Sequence, residues 1–301
     1  MTFDQPITFK PLYMQRIWGG RRLETMHGRA LPPHTPIGES WELVDRAENQ
    51  SVVDGGPHEG LTLHDLWMRH RAAVFGPDAP DAPRFPLLAK ILDASDRLSV
   101  QVHPPPQLAP SLHGEPKDEM WYLLDALPGS ELFAGFQKGV TRRKFESALA
   151  SGTCAGLLHH IPVNRGDFIF IPSGRCHAIG GGCLIIEIQQ NSDTTYRVFD
   201  WNRVDASGKP RQLHVAESLA CIDFADQEPS IGRANGETLV SCSHFRVERW
   251  HLTAMRSDTA PEGAVFTVVE GAVRCGQREF HRGDFFLLPA SSHERLLAPL
   301  T

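Results

Sequence analysis

Apolar residues along the chain recur mostly at alternate positions, in short runs broken by Gly, Pro and Asp, so the pattern predicts a mainly β protein with a few helices. The densest stretch is 166–203. There Gly166 and Asp167 signal a turn, Phe168 to Ile171 form an apolar β run, and Pro172 and Gly174 end it. His177 follows, and a second strand, Cys183 to Gln190, alternates imperfectly enough to predict burial on both faces. These strands are expected to bring His177 and Glu187 near one sheet face, and the active site is expected there.

The rest of the chain reads in the same way. Short apolar runs and a turn-rich Trp18-Gly19-Gly20 precede an alternating strand over 38–45. Thr62 and Asp65 form a capping-box variant ahead of an amphipathic helix running through Phe75, and 77–86 is a Pro/Asp-rich loop. Two apolar runs then flank a polar turn at Ala94 to Arg97, and the second ends in the period-two stretch Ser99 to His103. Glu119 to Asp125 reads as β, Thr141 caps a helix to about Ala150, and Gln212 to Ile222 reads as a helix.

An internal repeat sets the expected architecture. The run from Val163 through Gly166-Asp167 to Pro172 is echoed by the run from Phe280 through Gly283-Asp284 to Pro289, with the glycines 117 residues apart. Two related β units are implied, and 226–301 is expected to be a smaller C-terminal unit behind a catalytic unit of residues 1–225. The second copy lacks the Pro-x-Gly-x-x-His spacing, so it is expected to hold no metal.

Composition narrows the function classes. With 41% hydrophobic residues, 22% charged and a net charge of −6 in 301 residues, no broad basic surface is implied and nucleic acid is not an expected partner. No apolar stretch approaches the length of a membrane span and the N-terminus lacks a signal-peptide pattern, so a cytoplasmic location without a membrane partner is expected. The six cysteines form no CxxC pair and are expected to be reduced. Of the fifteen histidines, His27, His34, His58 and His70 lie in polar or Pro/Gly-rich contexts and are expected at the surface.

Gln101 and His103 are two apart, so on a strand both side chains face the same way and can converge on one ion. Glu119 at the start of a strand and His177 after the Gly-Asp turn would complete a site for a borderline divalent metal. Zinc is the leading candidate, with iron, cobalt and manganese as alternatives. A lone Gln-x-His, or Glu119 by itself, also fits an ordinary polar residue. Cys176, beside His177, points away on a strand and is read as packing.

The spacing Gly166-x5-Pro172-x-Gly174-x2-His177 resembles the second motif of the cupin superfamily, whose fold implies two jelly-roll β-barrels, the first binding metal and the second degenerate. The wider set resembles type I phosphomannose isomerase in its short bacterial form. It comprises Trp18-Gly19-Gly20, Gly38 to Glu42, Leu98 to Pro104, Lys117 to Tyr122 and Ser192 to Arg203. The resemblance implies that Gln101, His103, Glu119 and His177 hold zinc and that Arg197 lies in the active site. Larger members carry a helical domain before the last His, whereas only 57 residues lie between Glu119 and His177 here, and Pro105-Pro106-Gln107 replaces an acidic stretch after His103-Pro104.

The implied activity is interconversion of mannose 6-phosphate and fructose 6-phosphate by proton transfer between C1 and C2. Glu187 or a metal-bound water is the candidate base, and Arg197 and Lys117 are the other candidate catalytic groups. Lys90, Ser99 and Arg203 are candidates for the phosphate, although Arg203 has an alternative partner in Asp200. Two other classes share these residues: a metal-dependent oxygenase using His103, Glu119 and His177, and a sugar-phosphate-binding or sensing cupin without turnover. Association into a homo-oligomer is compatible with the sequence and is not specified by it.

Overall fold

The computed structural model describes residues 1–204 and 208–300. It is mainly β, with four α-helices among the described residues. Two antiparallel sheets face each other. One has six strands, in the order Leu12–Gly20, Ile37–Leu43, Leu87–Ala94, Cys183–Gln190, Glu119–Ala126 and Phe168–Ile171; the other has five, in the order Tyr196–Phe199, Val100–Val102, His177–Ile179, Glu131–Phe136 and Leu158–Pro162. Among the described residues no pairing closes them into a barrel.

Period-two patterning decides what lies between the sheets. On Glu119–Ala126, Trp121 and Leu123 face the five-stranded sheet, meeting Leu132, Ala134 and Ile179 together with Leu92, Ile171 and Ile185. The alternate residues, Leu124 on the same strand and Ile91 and Ile186 on its sheet neighbours, turn outward onto the helix Leu63–Phe75 and the N-terminal residues Phe3 and Ile7. Val100, Val102 and Phe133 turn outward in the other sheet, under Phe145 of the helix Arg142–Ala150 and Cys221 of Val215–Cys221. Burial on both faces explains why Cys183–Gln190 does not alternate cleanly.

Local signals formed as expected at several points. Thr62 Oγ1 accepts from Asp65 N (2.9 Å) while Asp65 Oδ2 accepts from Thr62 N (3.1 Å), closing the capping box of Leu63–Phe75. Thr141 Oγ1 accepts from Lys144 N at 3.3 Å and starts Arg142–Ala150. The repeat is also geometric. Gly166 and Gly283 adopt φ of 88° and 91°, and the following aspartates accept from Asn164 N and His281 N, each at 2.7 Å. Each turn feeds a short strand, Phe168–Ile171 or Phe285–Leu288.

Four expectations require correction. Trp18-Gly19-Gly20 is the end of a strand, not a turn, and a Cβ on Gly19 would lie 2.4 Å from Gly38 N, so glycine permits close approach of the neighbouring strand. The last helix is shorter than 212–222, spanning Val215–Cys221. His58 is buried, because the N-terminal segment folds over it: its Nε2 lies 2.9 Å from Thr2 O and its ring 4.3 Å from Phe3. His177 and Glu187 belong to different sheets that face each other, since His177–Ile179 pairs with Val100–Val102 and Glu131–Phe136 rather than with Cys183–Gln190.

Residues beyond 226 divide their packing. Leu239, Val240 and Phe245 cover Met120 and Phe168 on the outer face of the six-stranded sheet. Val273, Phe280, Phe286, Leu288 and Leu297 form a separate small core, while Phe285 and Leu287 point into the cluster around Leu66 and Trp67.

Candidate metal centre and active site

One end of the space between the sheets is apolar and the other is lined by charge. Gln101, His177 and Arg197 are Cα partners across three neighbouring strands, so their side chains share a face. That is the inner face, because Val100, Val102, Ala178, Tyr196 and Val198 all point outward. The opposite sheet supplies Lys90, Glu119, Glu187 and Gln189, with Glu187 opposite both Lys90 and Trp121 and Gln189 opposite Glu119.

His103, Glu119 and His177 are buried, and their ligand atoms lie within 4.8 Å of one another; among the described residues they form the only such group of His, Cys, Asp or Glu. Both imidazole tautomers are fixed from behind. His103 Nδ1 lies 2.9 Å from Thr194 O and His177 Nδ1 2.9 Å from Arg175 O. A carbonyl only accepts, so each Nδ1 carries the proton.

Burial and then the Lys117 charge push His103 down to about 4, and burial lowers His177, so both rings are neutral near pH 7. Their Nε2 lone pairs face Glu119 at 3.4 and 3.5 Å. Burial opposes ionisation of Glu119, but the Lys117 ammonium outweighs it and holds the carboxyl well below its usual range.

Four lone-pair atoms thus meet with no proton between them. His103 Nε2 and both Glu119 oxygens make no hydrogen bond; Lys117 Nζ lies 2.8 Å from Glu119 Oε2 at ion-pair distance without hydrogen-bond alignment. Buried acceptors opposing one another are costly unless a cation lies between them, so the donor set fits a metal ion. Gln101 lies beside it: its amide Nε2 is 3.3 Å from His177 Nε2, and a half-turn of that amide would present its oxygen to the same point.

The remaining site residues divide into two groups. Arg197 donates Nε to Ser99 Oγ and Nη1 to Gln212 O, each at 3.1 Å, and Ser99 Oγ in turn lies 3.4 Å from Gln101 Oε1. Lys90 Nζ is 3.0 Å from Glu187 Oε1, and Lys117 Nζ 3.1 Å from Gln189 Oε1. Arg203 is not brought to this cluster: its guanidinium binds Asp200 at 2.5 Å, Arg97 O at 2.6 Å and Asp96 at 3.3 Å. Cys176 is buried against the outer layer and burial raises its thiol, so it is no ligand. Two surface cavities, of about 720 Å³ beside Gly19–Arg21 and about 400 Å³ between Arg142–Ala150 and Val215–Cys221, are lined by none of these residues.

Several residues of the polar end went unread in the sequence. Glu39 accepts from Trp41 Nε1 at 2.6 Å and from Arg16 Nε at 2.8 Å; Trp121 Nε1 donates to Glu187 Oε2 at 3.1 Å. Gln189 anchors Lys117. The available signal was polar residues in register with apolar core positions, Glu39 on one strand and Gln189 on another, two residues after Glu187.

The fold and site define a class: an antiparallel β-sandwich carrying a buried His-Glu-His set at its polar end. Comparison with known proteins makes this specific. Residues 7–128 match the catalytic domain of type I phosphomannose isomerase. The chain is 39% identical over 304 residues to mannose-6-phosphate isomerase ManA of Bacillus subtilis, covering 95% of this chain and 93% of that one. It is 37% identical over 297 residues to the mannose-6-phosphate isomerase of Streptococcus mutans, covering 93% and 92%. The crystal structure of the Bacillus subtilis mannose 6-phosphate isomerase superposes with a TM-score of 0.87 at 31% identity, over 98% of this chain and 97% of that one. The chain belongs to the type I mannose-6-phosphate isomerase family.

Proposed function

We propose that this chain interconverts mannose 6-phosphate and fructose 6-phosphate, using one divalent ion per chain, with zinc the leading candidate, held by Gln101, His103, Glu119 and His177. The observation that carries the reading is the convergence of unprotonated Nε2 atoms on the unbonded Glu119 carboxylate, beside two buried lysines. When bound, the ion would polarise substrate oxygens as a Lewis acid.

The chain's own groups supply the rest. Two carboxylates at the polar end, Glu39 and Glu187, do not face the imidazoles. Burial opposes ionisation of Glu39, but Lys90 and then Arg16 hold it near 2, too weak a base to remove a proton from carbon. Glu187 is therefore assigned the proton transfer between C1 and C2, with Lys90 Nζ at 3.0 Å holding its carboxyl group in place. Arg197 has Nη2 without a partner among the described residues and points it at the developing oxyanion or the phosphate, with Ser99 alongside. Lys117 adds positive charge beside Glu119.

The facing sheets fit a cupin-type jelly roll in residues 1–225, and the repeated Gly-Asp turn supports a degenerate second unit in 226–301. No described helix is long and apolar enough to cross a membrane, in keeping with a cytoplasmic enzyme of a small sugar phosphate.

The test is metal analysis of purified protein with a mannose 6-phosphate turnover assay before and after chelation. About one ion per chain, turnover lost on chelation and its return on adding metal support the reading. Binding of the sugar phosphate without turnover favours a sensor, and oxygen consumption favours an oxygenase.

A further inference from the structure

The charges at the polar end form a row across four strands, Arg16, Glu39, Lys90 and Glu187, of which the last three are buried. Trp41 is the Cα partner of Lys90 and Glu39 that of Leu92, so Glu39 lies diagonal to Lys90, within reach of long side chains. Each carboxylate is gripped in the same way, by one indole N–H and one cation. Glu39 has Trp41 Nε1 at 2.6 Å and Arg16 Nε at 2.8 Å; Glu187 has Trp121 Nε1 at 3.1 Å and Lys90 Nζ at 3.0 Å. The Lys90 ammonium also lies 5.3 Å from the Trp41 ring centroid, so Trp41 contacts both Lys90 and the residue that faces it.

Glu39 is buried and, among the described residues, its hydrogen bonds go to Trp41 and Arg16 alone, so it is read as acting through its neighbours rather than on a substrate. Its carboxylate nonetheless lies diagonal to Lys90, which donates to Glu187 Oε1 at 3.0 Å, and with all three groups buried its field reaches that ammonium. With both carboxylates nearby, the Lys90 ammonium is drawn towards each rather than to Glu187 Oε1 alone. Without Glu39, the ammonium would lean wholly on Glu187 Oε1 and weaken it as a base.

We propose that Glu39 is a positioning residue, fixed by Trp41 and Arg16, that acts through Lys90 to keep Glu187 competent for proton transfer. The proposal rests on the isomerase reading above. Glu39→Gln keeps the size and the acceptor for Trp41 Nε1 while removing the charge. In metal-loaded protein we expect kcat for mannose 6-phosphate to fall about 10- to 100-fold with KM within threefold, since the group touches no substrate.

The discriminating measurement is a double-mutant cycle with Lys90→Gln. If Glu39 acts through Lys90, the double variant has the kcat of Lys90→Gln within threefold. Arg16→Gln, at a side chain 36% exposed, is the second entry and does not depend on Glu39→Gln folding; it should lower kcat several-fold in the parent and have no effect in the Lys90→Gln background. Effects that multiply in either cycle, or a kcat within threefold of the parent for both Glu39→Gln and Arg16→Gln, would overturn the proposal. A parent protein that binds metal but does not turn over mannose 6-phosphate refutes the isomerase reading instead.

Discussion

Replacing Arg197 by lysine separates a chemical role from a structural one. Arg197 is half-buried, and burial followed by the charge of Arg211 lowers its proton affinity, yet no carboxylate among the described residues pairs with it. Asp200, three residues further along the chain, is taken by Arg203 at 2.5 Å and by Arg211 at 2.6 and 2.7 Å. What the substitution removes from the folded protein is therefore small. The guanidinium makes two bonds to neutral oxygens, lysine can keep one, and the loss is about 0.5–1.5 kcal/mol.

The expected loss in turnover is larger. A planar donor aimed at charge that develops only in the transition state is worth on the order of 10² to 10³ in kcat, or roughly 3–4 kcal/mol, and lysine cannot reproduce the fork. The assay is steady-state kinetics with mannose 6-phosphate on folded protein of measured metal content, beside a denaturant titration. A kcat within about threefold of the parent, a difference under about 1 kcal/mol, refutes the reasoning. A large loss of stability with normal turnover in the folded fraction refutes it as well.

Three further outcomes follow from the same geometry. His177→Ala should lower metal occupancy sharply and abolish the rise in melting temperature that added metal gives the parent, read by metal analysis and thermal scans; unchanged occupancy would place the ion elsewhere. Gly19→Ala forces a Cβ to 2.4 Å from Gly38 N and should destabilise by about 1–3 kcal/mol, whereas Gly156→Ala, with nothing within 4 Å, should be nearly neutral in the same denaturant titration. Glu39 is held near 2 from an ordinary value of 4.5, so its contribution is complete above about pH 4.5 and disappears as pH falls towards 2. The acid limb of unfolding free energy should accordingly be shallower in Glu39→Gln, and identical limbs would contradict the assignment.

Features that depend on neighbours in the chain could be read from the sequence. The Thr62–Asp65 box, the Thr141 cap, the two Gly-Asp turns and the shared direction of Gln101 and His103 are set within a few residues by hydrogen bonding and strand periodicity. Motif spacing also carried the family and the ligand candidates. Tertiary structure decided what chain-distant partners control. Trp18-Gly19-Gly20 is a strand because Ile37 and Gly38 lie against it, and His58 is buried because Thr2 and Phe3 cross it. His177 and Glu187 lie on separate sheets because His177 pairs with Gln101 and Ala134. Glu39 and Gln189 become site residues only when burial removes water and leaves Arg16 and Lys117 as their nearest charges, a desolvation that only packing of the two sheets can impose.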